Sequence, residues 1–381
     1  WARGTGTDFS ADTGAAIAVD WLGNVLITGR SVQDTFGAAA FNNLGRIFVA
    51  KYDNVGNPVW ARKSGSFSGG TYDTGTGIGA DAAGNVYVTG TFLSPVADFG
   101  GVLLTNLGFG DIFLSKYDPA GTLQWVRQAG GSGDDRPNGL AVDSSGNAHV
   151  VGEFGGTAAF GVANLVSAGG ASDIFIAKFN ASGTALWARG AGGQSADAAR
   201  GVAVDPAGNV HVTGYFGGAA SFGAINLSGI VGTYDAFVTR LDSNGNFTFA
   251  QQAGGTDLNG DFGLGIAADA NGNAILTGYF TGTSTLGNAT PTSAGGEDLF
   301  VMRFNSFISS GATPTLAFSV SGGRLVISWP VSASAFILQT ATNLGLQNWV
   351  DATNTLSIVG NNFVTTNALG SGPFFLRLRR P

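Results

Sequence analysis

The chain has 381 residues, with 18 Lys and Arg against 25 Asp and Glu, a formal charge of −7, 63 Gly, 10 Pro and no Cys. An acidic balance with no basic cluster beyond Arg377, Arg379 and Arg380 argues against nucleic acid or an anionic membrane as partner. The missing cysteines remove disulfides, thiolate metal sites and thiol nucleophiles, and abundant glycine with only 11% charged residues reads as a turn-rich, globular, all-β chain. No run of 18 apolar residues marks a membrane helix, and with Trp1 first, neither a methionine nor a signal peptide, the expectation is that the true start is missing or processed.

Five segments align along the chain: IAVDWLGNVLITG at Ile17, IGADAAGNVYVTG at Ile78, LAVDSSGNAHVVG at Leu140, VAVDPAGNVHVTG at Val202 and IAADANGNAILTG at Ile266. Their Gly-Asn pairs begin at Gly23, Gly84, Gly146, Gly208 and Gly272, spaced by 61, 62, 62 and 64 residues, which marks a repeat architecture. Each is followed by a second block, RIFVAKYD at Arg46, DIFLSKYD at Asp111, DIFIAKFN at Asp173, DAFVTRLD at Asp235 and DLFVMRFN at Asp298. An aromatic stands nine residues after the Lys or Arg of four blocks, at Trp60, Trp125, Trp187 and Phe249.

Every repeat thus predicts four short strands: in the first, a (Ala15 to Val19), b (Val25 to Thr28), c (Ile47 to Tyr52) and d (Val59 to Lys63). Tight Gly-containing turns join a to b and c to d, while longer Gly-rich loops join b to c and d to the next a. Strands apolar on both faces, repeated radially, describe propeller blades. Antiparallel alternation puts both long loops on one face of the disc, where a ligand would meet the protein.

The fifth repeat lacks a strand d, because the position nine after Arg303 is Ala312, and the chain opens with Trp1-Ala2-Arg3, matching WARKSG at Trp60 and WARGAG at Trp187. The expected fold is a five-bladed β-propeller over residues 1–306, closed by an N-terminal strand d that covers both free sheet edges. A cut through a longer array of six or seven blades is the rival. A linker at 307–314 leads to residues 315–381, where alternating strands, Asn/Gly turns and two core anchors, Trp329 and Trp349, predict a small fibronectin- or Ig-like β-sandwich.

The motifs D-x-x-G-N-[VA]-x-[VIL]-[TV]-G and D-[IAL]-F-[ILV]-x-[KR], with the strand-d Trp, resemble the bacterial SBBP-type β-propeller repeats over about residues 1–305. That resemblance implies a secreted or surface-attached bacterial protein with no shared catalytic residue. The C-terminal unit, LVISWPVSASAFILQTATNLGLQNWV through FFLRLRRP, is similar to short modules at the ends of secreted proteins of Verrucomicrobia-like bacteria, which implies a role in attachment or export.

Five aspartates stand eight residues before the turn aspartate of each repeat: Asp12, Asp73, Asp135, Asp197 and Asp261. With strand a innermost they form a carboxylate ring at the channel mouth, a set of oxygens suited to a hard cation such as calcium, although backbone capping is the simpler role. No cofactor is otherwise expected. The loop Asp257-Leu258-Asn259-Gly260-Asp261 imitates the start of an EF-type calcium loop without its later ligands. Asp20, Asp81, Asp143, Asp205 and Asp269 open Asx-type turns, and the strand-c acids are candidates to pair with Lys51, Lys116, Lys178, Arg240 and Arg303. His149 and His211 share one strand-b position and read as packing substitutes.

The expected function is an extracellular or cell-surface binding or scaffold module, not an enzyme, monomeric, meeting protein or glycan on its long-loop face. A carbohydrate-active enzyme is the alternative, with Glu153 and Glu297 the first candidate acids. A structural spacer in a larger surface protein is a third.

Overall fold

The computed structural model describes residues 1–2, 12–31, 35–36, 39–40, 45–66, 73–255 and 260–304, and, further on, 316–322, 324–330, 336–341, 349–353, 356–359, 362–368 and 375–379. The chain divides into two compact units, Trp1–Asn305 and Ser306–Pro381. Among the described residues every regular element is a strand and all strand pairs are antiparallel, apart from one isolated parallel bridge.

In the first unit the first four repeats each form a sheet in the order a-b-c-d, and the fifth a sheet in the order a-b-c among the described residues. Strands a are Thr13–Val19, Thr74–Ala80, Arg136–Val142, Ala198–Val204 and Phe262–Ala268. Strands b are Val25–Arg30, Val86–Phe92, Ala148–Phe154, Val210–Gly217 and Ala274–Thr285. Strands c are Ile47–Tyr52, Asp111–Tyr117, Asp173–Phe179, Tyr234–Leu241 and Thr292–Phe304, and strands d are Pro58–Ser64, Leu123–Gly131, Ala185–Gly193 and Phe247–Gly255. The turns explain why the sequence folds there: in the first, Gly23 at φ +79° donates its N–H to the Asp20 carbonyl, a backbone conformation that only glycine adopts freely.

Each strand a packs on strand a of the next sheet, so these strands are innermost. Strand c of the first three sheets is buried on both faces, because neighbouring sheets cover it from either side. The Thr-Gly pair of strand b serves the same stacking. Thr213 Oγ1 donates to the Phe237 carbonyl (2.7 Å), and a Cβ at Gly214 would collide with the Ala198 carbonyl across a bulge in strand a.

The b–c connections differ from the expected free loops. In the second, third and fourth repeats they fold into hairpins, such as Thr157–Ala159 with Asn164–Val166, and the latter two extend strand d of the preceding sheet through Gly130–Gly131 and Gly192–Gly193. The Phe of each Phe-Gly pair accounts for this order. Phe99, Phe160 and Phe222 are fully buried against Phe113, Phe175 and Phe237, with centroids 4.8 to 4.9 Å apart. The b–c segments of the third and fourth repeats therefore extend the outermost strands of the preceding sheets.

The first four sheets are joined in succession by a Trp-x-Arg clasp. Trp60 Nε1 donates to the Pro119 carbonyl (3.0 Å), with its indole over Gly121 in the c–d turn of the next sheet. Trp125 and Trp187 repeat this on Ala181 and Ser243, each at 3.2 Å, over Gly183 and Gly245. Arg127 lies over Trp125, 5.4 Å from its centroid, and donates to the Ser182 and Gly183 carbonyls at 3.1 Å. Trp1 makes the same clasp on the first sheet, donating to the Asn54 carbonyl (3.2 Å) over Gly56. It therefore holds the strand-d place of a sheet preceding the first.

The expected strand d begins at Trp1 and Ala2 and runs on into residues 3–11, which lie outside the described residues; among those described, strand c of the fifth sheet pairs with strand b alone. Ile17 is 70% exposed where Ile78 is 6%, and Leu299 and Val301 are 78% and 68% exposed where Ile112 and Leu114 are 2%.

The second unit contains a four-stranded sheet (Ala317–Ser321, Arg324–Pro330, Asn362–Ala368, Ser357–Val359) and a three-stranded sheet (Val350–Asp351, Ile337–Ala341, Phe375–Arg379). Ile327 and Trp329 from one and Leu338 from the other share a core. Trp349 differs from its expected role, since it is half-buried with Arg377 4.3 Å above its ring.

The clasp predicts that Trp187→Ala lowers stability by about 3 kcal/mol or more, because a buried Trp is truncated, whereas Trp187→Phe costs about 1 kcal/mol through the lost N–H donor. Urea unfolding checks both, and an unchanged midpoint for Trp187→Ala would contradict the clasp.

Candidate functional site

Four of the five aspartates heading strand a are buried. Asp73, Asp135 and Asp197 are 0% exposed and Asp261 is 3% exposed, while Asp12 is partly buried. Asp73 accepts from Ser66 N (2.9 Å), Leu93 N (2.8 Å), Ser94 N (3.0 Å) and Ser94 Oγ (2.6 Å). Asp135 accepts from Gly131 N (2.7 Å) and Gly155 N (3.3 Å), and Asp197 from Gly193 N (2.7 Å) and Gly217 N (2.9 Å). Asp261 accepts from Gly255 N (2.8 Å), Thr281 N (3.0 Å) and Ser284 Oγ (2.9 Å).

Each carboxyl thus ties the end of strand d to the end of strand b, and both of its oxygens are spent on N–H or O–H donors. This differs from a ring presenting oxygens at a channel mouth. Among the described residues no three His, Asp or Glu side chains converge as metal ligands, and the EF-like loop falls largely on residues 256–259, outside those described.

At the other end of the strands the second aspartate series closes Asx turns. Asp20 Oδ1 accepts from Leu22 N (3.0 Å) and Asn24 N (2.9 Å), Oδ2 accepts from Asn24 Nδ2 (2.8 Å), and Lys51 Nζ lies at 2.9 Å. Burial pushes the Asp20 carboxyl up, but the hydrogen bonds from Asn24 and Lys51 outweigh it and hold it below 3.8. Lys116, Lys178 and Arg303 likewise meet Asp81, Asp143 and Asp269, so the strand-c cations pair with turn aspartates rather than with strand-c acids. His149 and His211 are buried with Nε2 3.2 Å from Asp143 and Asp205, a polar tie where Tyr87 uses its hydroxyl on the Gly146 carbonyl (2.8 Å). Burial, only partly offset by Asp143, lowers the His149 pKa and keeps its ring neutral.

The positions flanking the buried aspartates carry the asymmetry. Directly after them stand Thr13, Thr74, Arg136, Ala198 and Phe262, register-paired with Arg30, Thr91, Glu153, Tyr215 and Tyr279 at the head of strand b. The framework repeats; these positions do not.

On the third to fifth sheets they form one contiguous strip. Arg136 pairs with Asp134 (2.6 Å); Glu153 accepts from Ser172 Oγ (3.2 Å) and lies 4.0 Å from Arg200. Arg200 donates to the Tyr215 hydroxyl (3.3 Å), with its guanidinium 5.3 Å from the ring centroid. Tyr215 packs on Phe262 (4.8 Å) and edge-on to Tyr234 (5.1 Å), and Phe262 stacks on Tyr279 (5.0 Å, 25° between planes).

All four rings are half-buried, leaving area for a ligand. Burial, reinforced by Glu153, raises the Tyr215 phenol, and burial with Glu297 raises that of Tyr279, so both remain hydroxyl donors at neutral pH. Glu153 sits on the third sheet and Glu297 on the fifth, with the fourth between them. The aromatic part of this strip was absent from the sequence-based candidates, although the signal was present: comparing repeats for the columns that vary beside an invariant Asp isolates it.

Residues 124–153 and 186–215 match the SBBP beta-propeller repeat family model, so these two segments are SBBP-type repeats within a β-propeller repeat fold. An uncharacterized WD repeat-containing protein of Acanthamoeba polyphaga mimivirus is 27% identical over 157 residues, covering 36% of this chain and 11% of that protein's length. Among solved structures, the calcium-binding protein regucalcin of Agrobacterium tumefaciens overlaps 94% of this chain and 92% of its own, at a TM-score of 0.33 and 12% identity. A puromycin hydrolase overlaps 84% of this chain and 59% of its own, at 0.26 and 9%.

Proposed function

We propose that the chain is a binding module whose ligand is an uncharged oligosaccharide held at the heads of the inner strands of the third to fifth sheets. The observation that carries this reading is the strip from Glu153 through Arg200, Tyr215 and Phe262 to Tyr279, where side chains break an otherwise strict repeat. The stacked Phe262–Tyr279 pair offers a flat apolar platform for the C–H face of a pyranose ring, and Arg200, Glu153 and the Tyr215 hydroxyl offer hydrogen bonds for its hydroxyls. Cations and carboxylates alternate along the strip, which favours a neutral ligand. Glu153 engages Ser172 and Arg200 as a positioned acceptor, which supports binding over hydrolysis. An extracellular or cell-surface setting, with the C-terminal unit a fibronectin-like sandwich serving attachment, belongs to the same reading.

Titration calorimetry against a panel of neutral oligosaccharides tests it. Phe262→Ala and Tyr215→Ala each weaken binding by about 10-fold or more while leaving folding intact. Full affinity in both variants would contradict the site, and hydrolysis of a bound sugar that disappears in Glu153→Gln would replace binding with catalysis.

The same reading takes residues 1–304 as a closed five-bladed ring. In such a ring the sheet before the first is the fifth, so the Trp1 clasp on Asn54 and Gly56 supports a strand d supplied by the chain start. Closure also covers Ile17, Leu299 and Val301. Because Ala61 faces Ala50 and Ala188 faces Ala177, the same register sets Ala2 against Met302. With no native cysteine, Ala2→Cys/Met302→Cys is expected to form an intramolecular disulfide on oxidation of the monomer. Crosslinks only between chains, or none, would contradict closure.

A further inference from the structure

The junctions between the second and fifth sheets each bring two buried carboxyl groups together. Asp111 at the head of strand c stands with Asp135 of the next strand a, Asp173 with Asp197, and Asp235 with Asp261, and all six are 0% to 3% exposed. Their proximity is read from the glycine between them. A Cβ at Gly130 would lie 2.5 Å from Asp111 Oδ1 and 2.9 Å from Asp135 Oδ2, one at Gly192 would collide with Asp173 and crowd Asp197, and one at Gly254 would collide with Asp235.

The outer oxygens are committed. Asp111 Oδ2 accepts from Leu107 N and Gln128 Nε2, both at 2.7 Å, and Asp173 Oδ2 accepts from Ala168 N. The inner oxygens, Asp111 Oδ1 and Asp173 Oδ1, are buried and accept no hydrogen bond. Two ionised carboxylates in that arrangement would set acceptor against acceptor and like charge against like charge, out of water.

We infer that each of these three junctions is a proton-binding site, in which one carboxyl is protonated and donates its O–H to its neighbour across the sheet boundary. At the Asp111 and Asp173 junctions a proton satisfies the orphan oxygen, and at all three it removes one buried charge, whereas a cation would find the remaining carboxylate oxygens already occupied by N–H groups. The first junction shows the contrast, because Arg46 holds the strand-c position there and no acid pair exists.

Electrostatics agree with the geometry. Burial, with Asp111 and Asp134 adding repulsion, pushes Asp135 up to about 6 despite its backbone donors; burial with Asp261 beside it pushes Asp235 to about 6; Asp197 rises through burial and Asp173. Among the described residues, the other charges near these pairs include Arg136, which faces Asp134, and Glu153, reached through Ser172. For a carboxyl raised in the folded state, the stabilisation is complete below the unfolded value of 3.8 and is lost as pH rises through about 6. Buried neutral His149 acts in the opposite sense, gaining stability as pH rises, so the pairs must be read against a variant that keeps the histidine.

Asp111→Asn/Asp173→Asn places an amide N–H where the shared proton stands. Its melting temperature minus that of the wild type is expected to be near zero at about pH 4 and to grow to roughly 5 °C or more in the variant's favour at about pH 8. Infrared spectra of the wild type near neutral pH are expected to contain a carboxylic-acid band that weakens in the variant, which keeps the proposal testable if the variant folds poorly. A variant less stable than wild type at about pH 8, or the absence of the band, would overturn the proposal. So would a calcium-induced rise in melting temperature that the variant loses, which would make the junctions cation sites.

Discussion

The carboxyl group at the head of each inner strand is the constraint on which the rest of the first unit depends. Asp73, Asp135, Asp197 and Asp261 each collect amide donors from the end of the preceding strand d and from the end of strand b. Without them, buried N–H groups at the sheet junctions would lack partners, at a cost of about 1–3 kcal/mol each. The residues that vary, Arg136 with Glu153 and Phe262 with Tyr279, stand immediately beside these anchors. A fixed backbone therefore carries a changeable surface, and the strip owes its geometry to the acids beneath it.

The two ends of each sheet use different chemistry for different tasks. At the tight turns, aspartates held ionised by Asn amides and Lys or Arg close local loops, and the Trp-x-Arg clasp grips the next turn along. At the inner-strand heads, carboxyls removed from water and paired with one another favour protons. The Trp clasp on successive c–d turns explains how sheets that are each small stack into a continuous array.

Much of the frame was legible in the sequence because local rules decide it. The Gly-Asn spacing gives the period, β-branched and aromatic runs give the strands, and D-x-x-G-N gives the turns. What escaped were contacts between elements distant in the chain. The Phe-Gly segments read as free loops, yet Phe160 buries itself against Phe175 and the segment joins the preceding sheet, a long-range choice that no local propensity encodes. The strand-c lysines invited pairing with strand-c acids, but register brings Lys51 to Asp20. The candidate site was half-visible. The invariant aspartates drew attention as ligands, while burial spends their oxygens on backbone donors and leaves Tyr215 and Phe262 beside them partly exposed, residues that look unremarkable until the repeats are compared column by column.

The central claim, that buried inner-strand carboxyls lock both flanking segments into the sheet junctions, is tested most directly by native-state hydrogen exchange. The amides of Gly131, Gly155, Gly193 and Gly217, which donate to Asp135 and Asp197, are expected to exchange as slowly as those in the middle of strands b and c, opening only with the sheets themselves. Exchange at the rate of exposed turn amides would contradict that claim.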